Sequence, residues 1–391
     1  MSPPGVTLIG VASIAADAND RSKTDGELIP GTQLRQDRLG SMGSGIDYTG
    51  QGNTYLALCD RGPKDGAVAY VPRFQQLSIA VDAKEMRVSV RLEQTTLFSD
   101  EQGRGYSGLA ASFDSAAPAQ GRRLDTEGIR VAKDGNIFTS DEYGPWIDEW
   151  TARGVHVRRI ELPAKFPIAK LGATPADEFP PNNASGRQSN RGMEGLARSP
   201  DGNFLYGVMQ SPLIQDGGLD DENKRVGTNV RVLELELASG KTREFLYVLE
   251  GAKNGVNEIV AVGPHTFLVI ERDGAEGTKA EFKRLYKVEL DGASDISALE
   301  KLPVKDVPHA IVPVKKSLFL DFLDPRFGLA GEKMPEKIEG LAFGPKFADG
   351  RLLLIVSIDN DFRQDVPNTF WAFAVDATLL PEFERAAFTA R

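Results

Sequence analysis

Acidic side chains recur along this chain in a pattern that can gather them in one place. Glu127, Glu142, Glu194, Glu258, Glu271, Glu339 and Asp359 each stand at an end of a short apolar run. Asp60, Asp141, Asn360 and Asp361 hold comparable places, with Arg61, Gln210 and Arg272 among them. Collected at close quarters, so many carboxylates repel one another and rise in pKa unless positive charge lies among them. A hard cation with oxygen ligands meets that need, and calcium accepts irregular sets of carboxylates, amides and carbonyls. The expected ligands are Glu127, Glu194, Glu258, Glu339 and Asp359. Arg61 and Arg272 serve either as internal counterions or as a bidentate hold on an anionic substrate. A structural use competes with this one. A glutamate before glycine at a strand start can simply accept backbone N–H groups, and repeats copy structural residues too. Charge clusters that perturb one another tend to mark functional clefts, which favours a ligand site for the set.

The elements that would gather these groups are hairpins. Residues 125–144 (DTEGIRVAKDGNIFTSDEYG) form two apolar runs around an Asp-Gly turn, with acids at both outer ends. Antiparallel pairing brings Glu127 back beside Asp141 and Glu142. The unit recurs at 193–210, at 256–272 with a different turn, at 338–361, and in a weaker copy at 44–61 that lacks the glutamate. Repeat starts near 45, 127, 194, 258 and 339 give a long, irregular period suited to one propeller blade plus loops. Asp134, Gly135, Asp201, Gly202, Asp349 and Gly350 read as turn formers.

Further alternating pairs complete each unit: 76–82 with 87–98, 146–151 with 156–162, 229–237 with 242–250, and 283–290 with 315–322. The last unit has a third strand at 368–376 and no evident fourth, while the first apolar run, 6–14, stands alone. Lending that strand to the last unit closes a ring and removes its open edge. The expectation is an all-β chain, a single β-propeller over 1–391 with five four-stranded blades. Six or seven blades require strand pairs hidden in the irregular insertions near 99–123 and 163–191.

Composition narrows the function. A net charge of −10 argues against nucleic acid as partner, since phosphate backbones call for a basic face. No apolar run of 18 residues suggests a membrane span. Cys59 is the sole cysteine, so packing and closure must supply the stability. The three histidines, His156, His265 and His309, are too scattered for a histidine-rich metal site. Gly43-Ser44-Gly45 and Tyr106-Ser107-Gly108 miss the nucleophile-elbow pattern, and the glycines at 40–45 precede no helix pattern that would make a phosphate loop. Trp146, Trp150 and Trp371 read as core. The N-terminus, Met1 to Val6, shows no export-signal pattern.

Thr126-Glu127-Gly128-Ile129 with residues 140–145 (SDEYGP), 190–197 (NRGMEGLA), 270–273 (IERD), and 337–342 (KIEGLA) with 357–362 (SIDNDF) form an ordered series. In this series, over about 40–376, the chain resembles the bacterial phytase-like family labelled "esterase-like activity of phytase". The resemblance implies an exported propeller, periplasmic or secreted, that hydrolyses a phosphoester or ester. Related propellers, the calcium-dependent alkaline phytases and the lactonases of regucalcin and gluconolactonase type, share a carboxylate-lined mouth. The leading expectation is therefore a calcium-dependent, monomeric hydrolase of a phosphoester, ester or lactone. Glu142 or Glu271 would act as general base, and Arg61 with Arg272 would hold the substrate anion. The absence of a lysine-rich cluster near the hairpin ends argues against a highly phosphorylated substrate. The alternative is a non-catalytic propeller that grips a ligand or partner with structural carboxylates.

Overall fold

A computed structural model describes residues 3–24, 26–113, 122–304 and 306–383. Twenty strands form five four-stranded antiparallel sheets arranged as a ring, a five-bladed β-propeller. The chain's first strand, β1 (Val6–Ile14), belongs to the last blade. Blade 1 comprises β2 (Gly45–Tyr48), β3 (Thr54–Leu58), β4 (Arg73–Asp82) and β5 (Arg87–Leu97). Blade 2 comprises β6 (Thr126–Val131), β7 (Ile137–Asp141), β8 (Trp146–Trp150) and β9 (His156–Glu161). Blade 3 comprises β10 (Met193–Arg198), β11 (Phe204–Met209), β12 (Asn229–Glu236) and β13 (Thr242–Val248). Blade 4 comprises β14 (Gly255–Ala261), β15 (Thr266–Arg272), β16 (Lys283–Glu289) and β17 (Lys315–Asp321).

Blade 5 is built from β18 (Lys337–Phe343), β19 (Leu352–Asp359) and β20 (Asn368–Val375), with β1 as its outer strand. The seal runs antiparallel from Val6 opposite Val375 to Ile14 opposite Asn368. Chain-terminal pairing of this kind leaves the ring without an open edge to template association. The insertions at 99–123 and 163–191 add no strand pair among the described residues, so the blade count is five; residues 114–121 of the first lie outside them. In the second, a short helix at Pro175–Glu178 carries Glu178, which Arg123 and Arg187 clamp at 3.2 and 2.6 Å.

The innermost strands β2, β6, β10, β14 and β18 neighbour one another around the axis. Glycine makes that approach possible. A Cβ on Gly128 would meet the Leu196 nitrogen at 2.7 Å, and one on Gly195 would meet the Ile259 nitrogen at 2.8 Å. The Asp-Gly turns form as expected: Asp134, Asp201 and Asp349 each accept the N–H two residues on, beside glycines with positive φ. Between blades, apolar faces interdigitate. Trp150 is fully buried against Phe98 and Tyr106, as expected of a core residue.

Candidate functional site

The inner hairpins do more than return to one rim. Four of them carry the same irregularity at the same point. In blade 3, Met193 opposes Met209 and Gly195 opposes Val208, so Glu194 is an extra residue with no partner across the ladder. In blade 5, Glu339 is extra between Ile338 and Gly340. In blade 2 the ladder jumps from Thr126 to Ile129 across Glu127 and Gly128. A β-bulge frees one residue from pairing and re-aims its side chain, and here it turns Glu127, Glu194 and Glu339 into the head of the channel.

Blade 4 corrects the sequence reading. Its ladder pairs Val256 with Glu271 and Glu258 with Ile270, so the extra residue is Asn257. Asn257 occupies the place of the glutamates, and Glu258 the place of the following glycine. Glu258 is fully buried, pairs with Arg130 at 2.9 Å, and accepts the backbone N–H of Leu196 and Ile259. Arg130 also reaches Ile46 O of blade 1 and Ile259 O of blade 4, so the pair spans the ring. Three residues further along its strand than Glu127, Arg130 lies about 10 Å below the mouth. Glu258 thus closes the channel and does not face the cavity that the expected ligand set required.

Glu271 is corrected as well. Its oxygens are taken by Tyr247 Oη (2.8 Å), Glu250 N (2.7 Å), Asn254 Nδ2 (2.8 Å) and Lys316 Nζ (3.0 Å), and it does not line the cavity. Asp141 turns back to cap Asp125 N and Gly144 N, and Asn360 holds the Ser41 and Phe362 N–H groups. The ladder explains both misplacements of sequence position: adjacent residues on a strand face opposite ways, so Glu142 reaches the mouth and Asp141 does not.

The mouth is a cavity of about 250 Å³. It gathers Asp60, Arg61, Glu127, Glu142, Glu194, Gln210, Arg272, Glu339, Asp359 and Asp361. Four of the five hairpins contribute one residue at the start and one at the end. These are Glu127 with Glu142, Glu194 with Gln210, Asn257 with Arg272, and Glu339 with Asp359, while blade 1 supplies only the end of its hairpin, Asp60 and Arg61. Blade 4 is therefore the exception, an amide and a guanidinium among carboxylates. Nearby loops deepen the asymmetry with Arg191, Arg225 and Lys253. The result is a mouth richest in acids over blades 5, 1 and 2 and richest in free cations at blades 3 and 4, with Glu194 of blade 3 among the acids.

The cations differ in how fully they are engaged. Arg61 is held by Asp125, by Glu142 at 3.1 Å and by Asp65 at 3.1 Å. Arg272 meets Glu339 at 2.5 Å, and Lys337 meets Asp359 at 3.3 Å and Asp361 at 3.0 Å. Arg191 bonds the Gln210 amide oxygen. Neither Arg191 nor Arg225 makes an ion pair among the described residues. Burial, with Arg191 and Arg272 close by, brings Arg225 down to about 10.

Two acidic groups have oxygens within 4.8 Å of one another: Asp125, Glu127 and Glu142, and Asp60, Asp359 and Asp361. Burial pushes Glu127 well above the usual carboxylate range, and Glu194, Asp125, Glu142 and Asp60 push it further. Burial also raises Glu194, reinforced by Glu142 and Glu339, and raises Asp60, reinforced by Asp359. Glu142 is pushed up to about 7 by burial and Asp125, against the pull of Arg61. Asp359 goes the other way. Burial raises it, but Lys337, the Asp361 N–H and the Ser41 hydroxyl at 2.7 Å together hold it below the usual range.

Glu194 is the most telling of these. Its Oε1 accepts from Gln210 and from Asn257 at 2.9 Å, while Oε2 is buried without any partner. A buried carboxylate oxygen in that position is stabilised by a proton or a cation. An all-oxygen donor set of acids and amides suits a hard divalent cation.

Sequence patterns pointed to ten of the lining residues and missed Asp65, Asn190, Arg191, Arg225, Lys253, Asn257, Glu336 and Lys337 among others. Asn257 and Lys337 were within reach of an alignment made on the bulge instead of on the glutamate. Arg225 and Lys253 come from loops whose approach to the mouth no local pattern announces.

An uncharacterized secreted protein of Arthroderma benhamiae is 27% identical over 318 residues, covering 63% of this chain. This chain spans 61% of that protein's length. Among solved structures, the calcium-binding protein regucalcin from Agrobacterium tumefaciens aligns over 91% of this chain and 96% of its own, with 14% identity and a TM-score of 0.39. The allergen Mala s 1 of Malassezia sympodialis aligns over 90% and 82%, with 10% identity and a TM-score of 0.41. Likeness at that level says nothing about activity. No helix among the described residues is long and apolar enough to cross a membrane. A family model covers residues 38–362, four whole blades and the two inner strands of blade 5, and by that match the chain belongs to the phytase-like family, "esterase-like activity of phytase".

Proposed function

We propose that the mouth is a calcium-dependent hydrolytic site for an anionic phosphoester, ester or lactone. The observation that carries this reading is the unpartnered, buried Oε2 of Glu194, beside the equally buried Glu127. Glu127 with Asp125 and Glu142, or Asp359 with Asp60 and Asp361, would hold the ion, with Glu194 beside Glu127 as a further ligand. When bound, a divalent cation supplies charge neutralisation, polarises a phosphoryl or carbonyl oxygen and acidifies water.

The chain's own residues supply the rest. Arg191 and Arg225, unpaired with carboxylates, are better placed to hold a substrate anion than Arg61, which three acids already occupy. Arg272 contributes while sharing Glu339. Glu142, near 7, is the group in the mouth suited to take a proton at neutral pH. It is oriented by Arg61 at 3.1 Å and by the Gly192 N–H at 3.3 Å. The Arg130–Glu258 plug beneath keeps the site a cup and not a through-channel. The secreted relative is consistent with a protein that works outside the cytoplasm, where calcium is plentiful, and a monomer suffices because one ring completes the cup.

The test is a panel of phosphomonoesters, carboxylic esters and lactones assayed with calcium and with chelator. Turnover that is lost with chelator and restored by calcium supports the reading. No turnover of any class in calcium removes it and leaves a binding propeller.

A further inference from the structure

A second, larger cavity of about 600 Å³ adjoins the mouth. It lies against the face of blade 5, with the 328–336 segment on one side and the 360–367 segment on the other. Glu336, Lys337, Asp359 and Asp361 line both cavities. The Lys337 ammonium, fixed between Asp359 and Asp361, is the sill between them. Away from that sill the character changes. Val11, Leu329, Met334, Val366 and Trp371 form an apolar floor, and Trp371 is braced from behind by Phe322 with ring centroids 5.5 Å apart. Charges on the outer rim are matched: Arg363 pairs with Glu276 at 2.6 Å.

Val11 is 48% exposed although it sits on the strand that seals the ring. Met334 and Trp371 lie buried beneath it, so Val11 is the apolar surface that the cleft leaves most open beside the mouth. An elongated ligand with a charged head and an apolar tail would use both. Dimensions agree, since the cleft is of the size that takes a drug-sized molecule or a medium alkyl or aryl group.

We propose that this cleft is the subsite for the apolar alcohol or acyl part of the substrate whose anionic head occupies the mouth. The natural substrate class is then an amphiphilic ester or phosphomonoester, not a compact polyphosphate. This assignment rests on the reading of the mouth as an anion site, and binding separates the two because it needs no turnover.

The experiment is calorimetric titration of the calcium-loaded protein with methyl-, butyl- and hexylphosphonate, whose carbon–phosphorus bond resists hydrolysis, and with the matching alcohols. Each methylene that enters an apolar cleft strengthens binding by up to about fourfold. Hexylphosphonate is expected to bind at least about tenfold tighter than methylphosphonate. Val11→Asp and Val366→Asp, neither of which lines the mouth, are expected to abolish that difference and leave methylphosphonate binding unchanged. Chain-length dependence equal for phosphonates and alcohols supports the cleft but removes the anion reading of the mouth. Phosphonate binding that ignores chain length, or a length dependence that survives both variants, overturns the cleft.

Discussion

The Asn257 amide nitrogen donates to Glu194 Oε1 at 2.9 Å, and it also lies 3.4 Å from Glu339 Oε1. One amide from blade 4 therefore links the bulged glutamates of blades 3 and 5, satisfying one oxygen of Glu194 and leaving the other for a ligand. An aspartate at the same point would remove the donor and add a fourth bulged acid to the ring.

Asn257→Asp should accordingly lower the melting temperature of the metal-free protein, by an amount corresponding to about 1–3 kcal/mol for the acceptors left unsatisfied. Calcium should recover more stability in this variant than in the wild type. Thermal melts with and without calcium measure both. An equal calcium gain in the two proteins would show that position 257 does not touch the ion.

Protonation gives an independent handle. Glu127, Glu194 and Glu142 all titrate above an ordinary glutamate because burial, then mutual repulsion, disfavours their charged forms. A carboxylate with a raised folded pKa contributes stability that is complete below its unfolded value and is lost as pH rises through the folded one. For Glu142 that window runs from the usual 4.5 to about 7. The metal-free protein should weaken across this range, while calcium competes with the protons and stabilises more as pH rises. Melts from pH 4.5 to 8 should show the calcium-induced gain growing; a gain independent of pH would count against carboxylate ligation.

Glu258 and Glu271 should behave as structural residues. Glu258→Gln leaves the buried Arg130 without its charge partner, a change that costs about 3–5 kcal/mol when one member of a buried pair is removed. Glu271→Gln loosens the Tyr247, Asn254 and Lys316 contacts. Both variants should melt lower and keep calcium affinity within about twofold. A clear fall in calcium affinity for either, in protein shown to be folded, would return it to the site.

The cations at blades 3 and 4 make a separate claim about substrate. Arg191→Ala and Arg225→Ala should each raise KM for a phosphoester about tenfold or more, since a hydrogen bond to a charged group is worth roughly 1.5–3 kcal/mol. A neutral lactone should be affected far less. Steady-state kinetics on matched charged and neutral substrates decide the matter, and equal losses on both would indicate a general disturbance of the mouth.

Much of this was legible from residue order alone. Hairpin repeats ending in acids gave the blades, and the orphan strand at 6–14 gave the closure, because a ring with one strand missing from its last blade has one place to find it. Local pattern also delivered Glu127, Glu194, Glu339 and Asp359 to one cavity. It failed at blade 4, where matching glutamate to glutamate hid a one-residue offset that only the ladder fixes. A shift of one residue on a strand turns a side chain to the opposite face, so Glu258 became a plug and Asn257 a mouth residue. Arg225 and Lys253 depend on how long loops fold back, which is set by tertiary packing and leaves no periodic trace.

The most direct measurement is a calcium titration of the metal-free wild type beside Glu194→Gln and Glu127→Gln, all verified as folded. The wild type should bind calcium in the mouth, and each variant should lose at least about tenfold in affinity, about 1.4 kcal/mol, while retaining a similar metal-free melting temperature. Wild-type protein that takes up no calcium, or variants that bind it as tightly as the wild type, would contradict a cation site built on the unpartnered oxygen of Glu194.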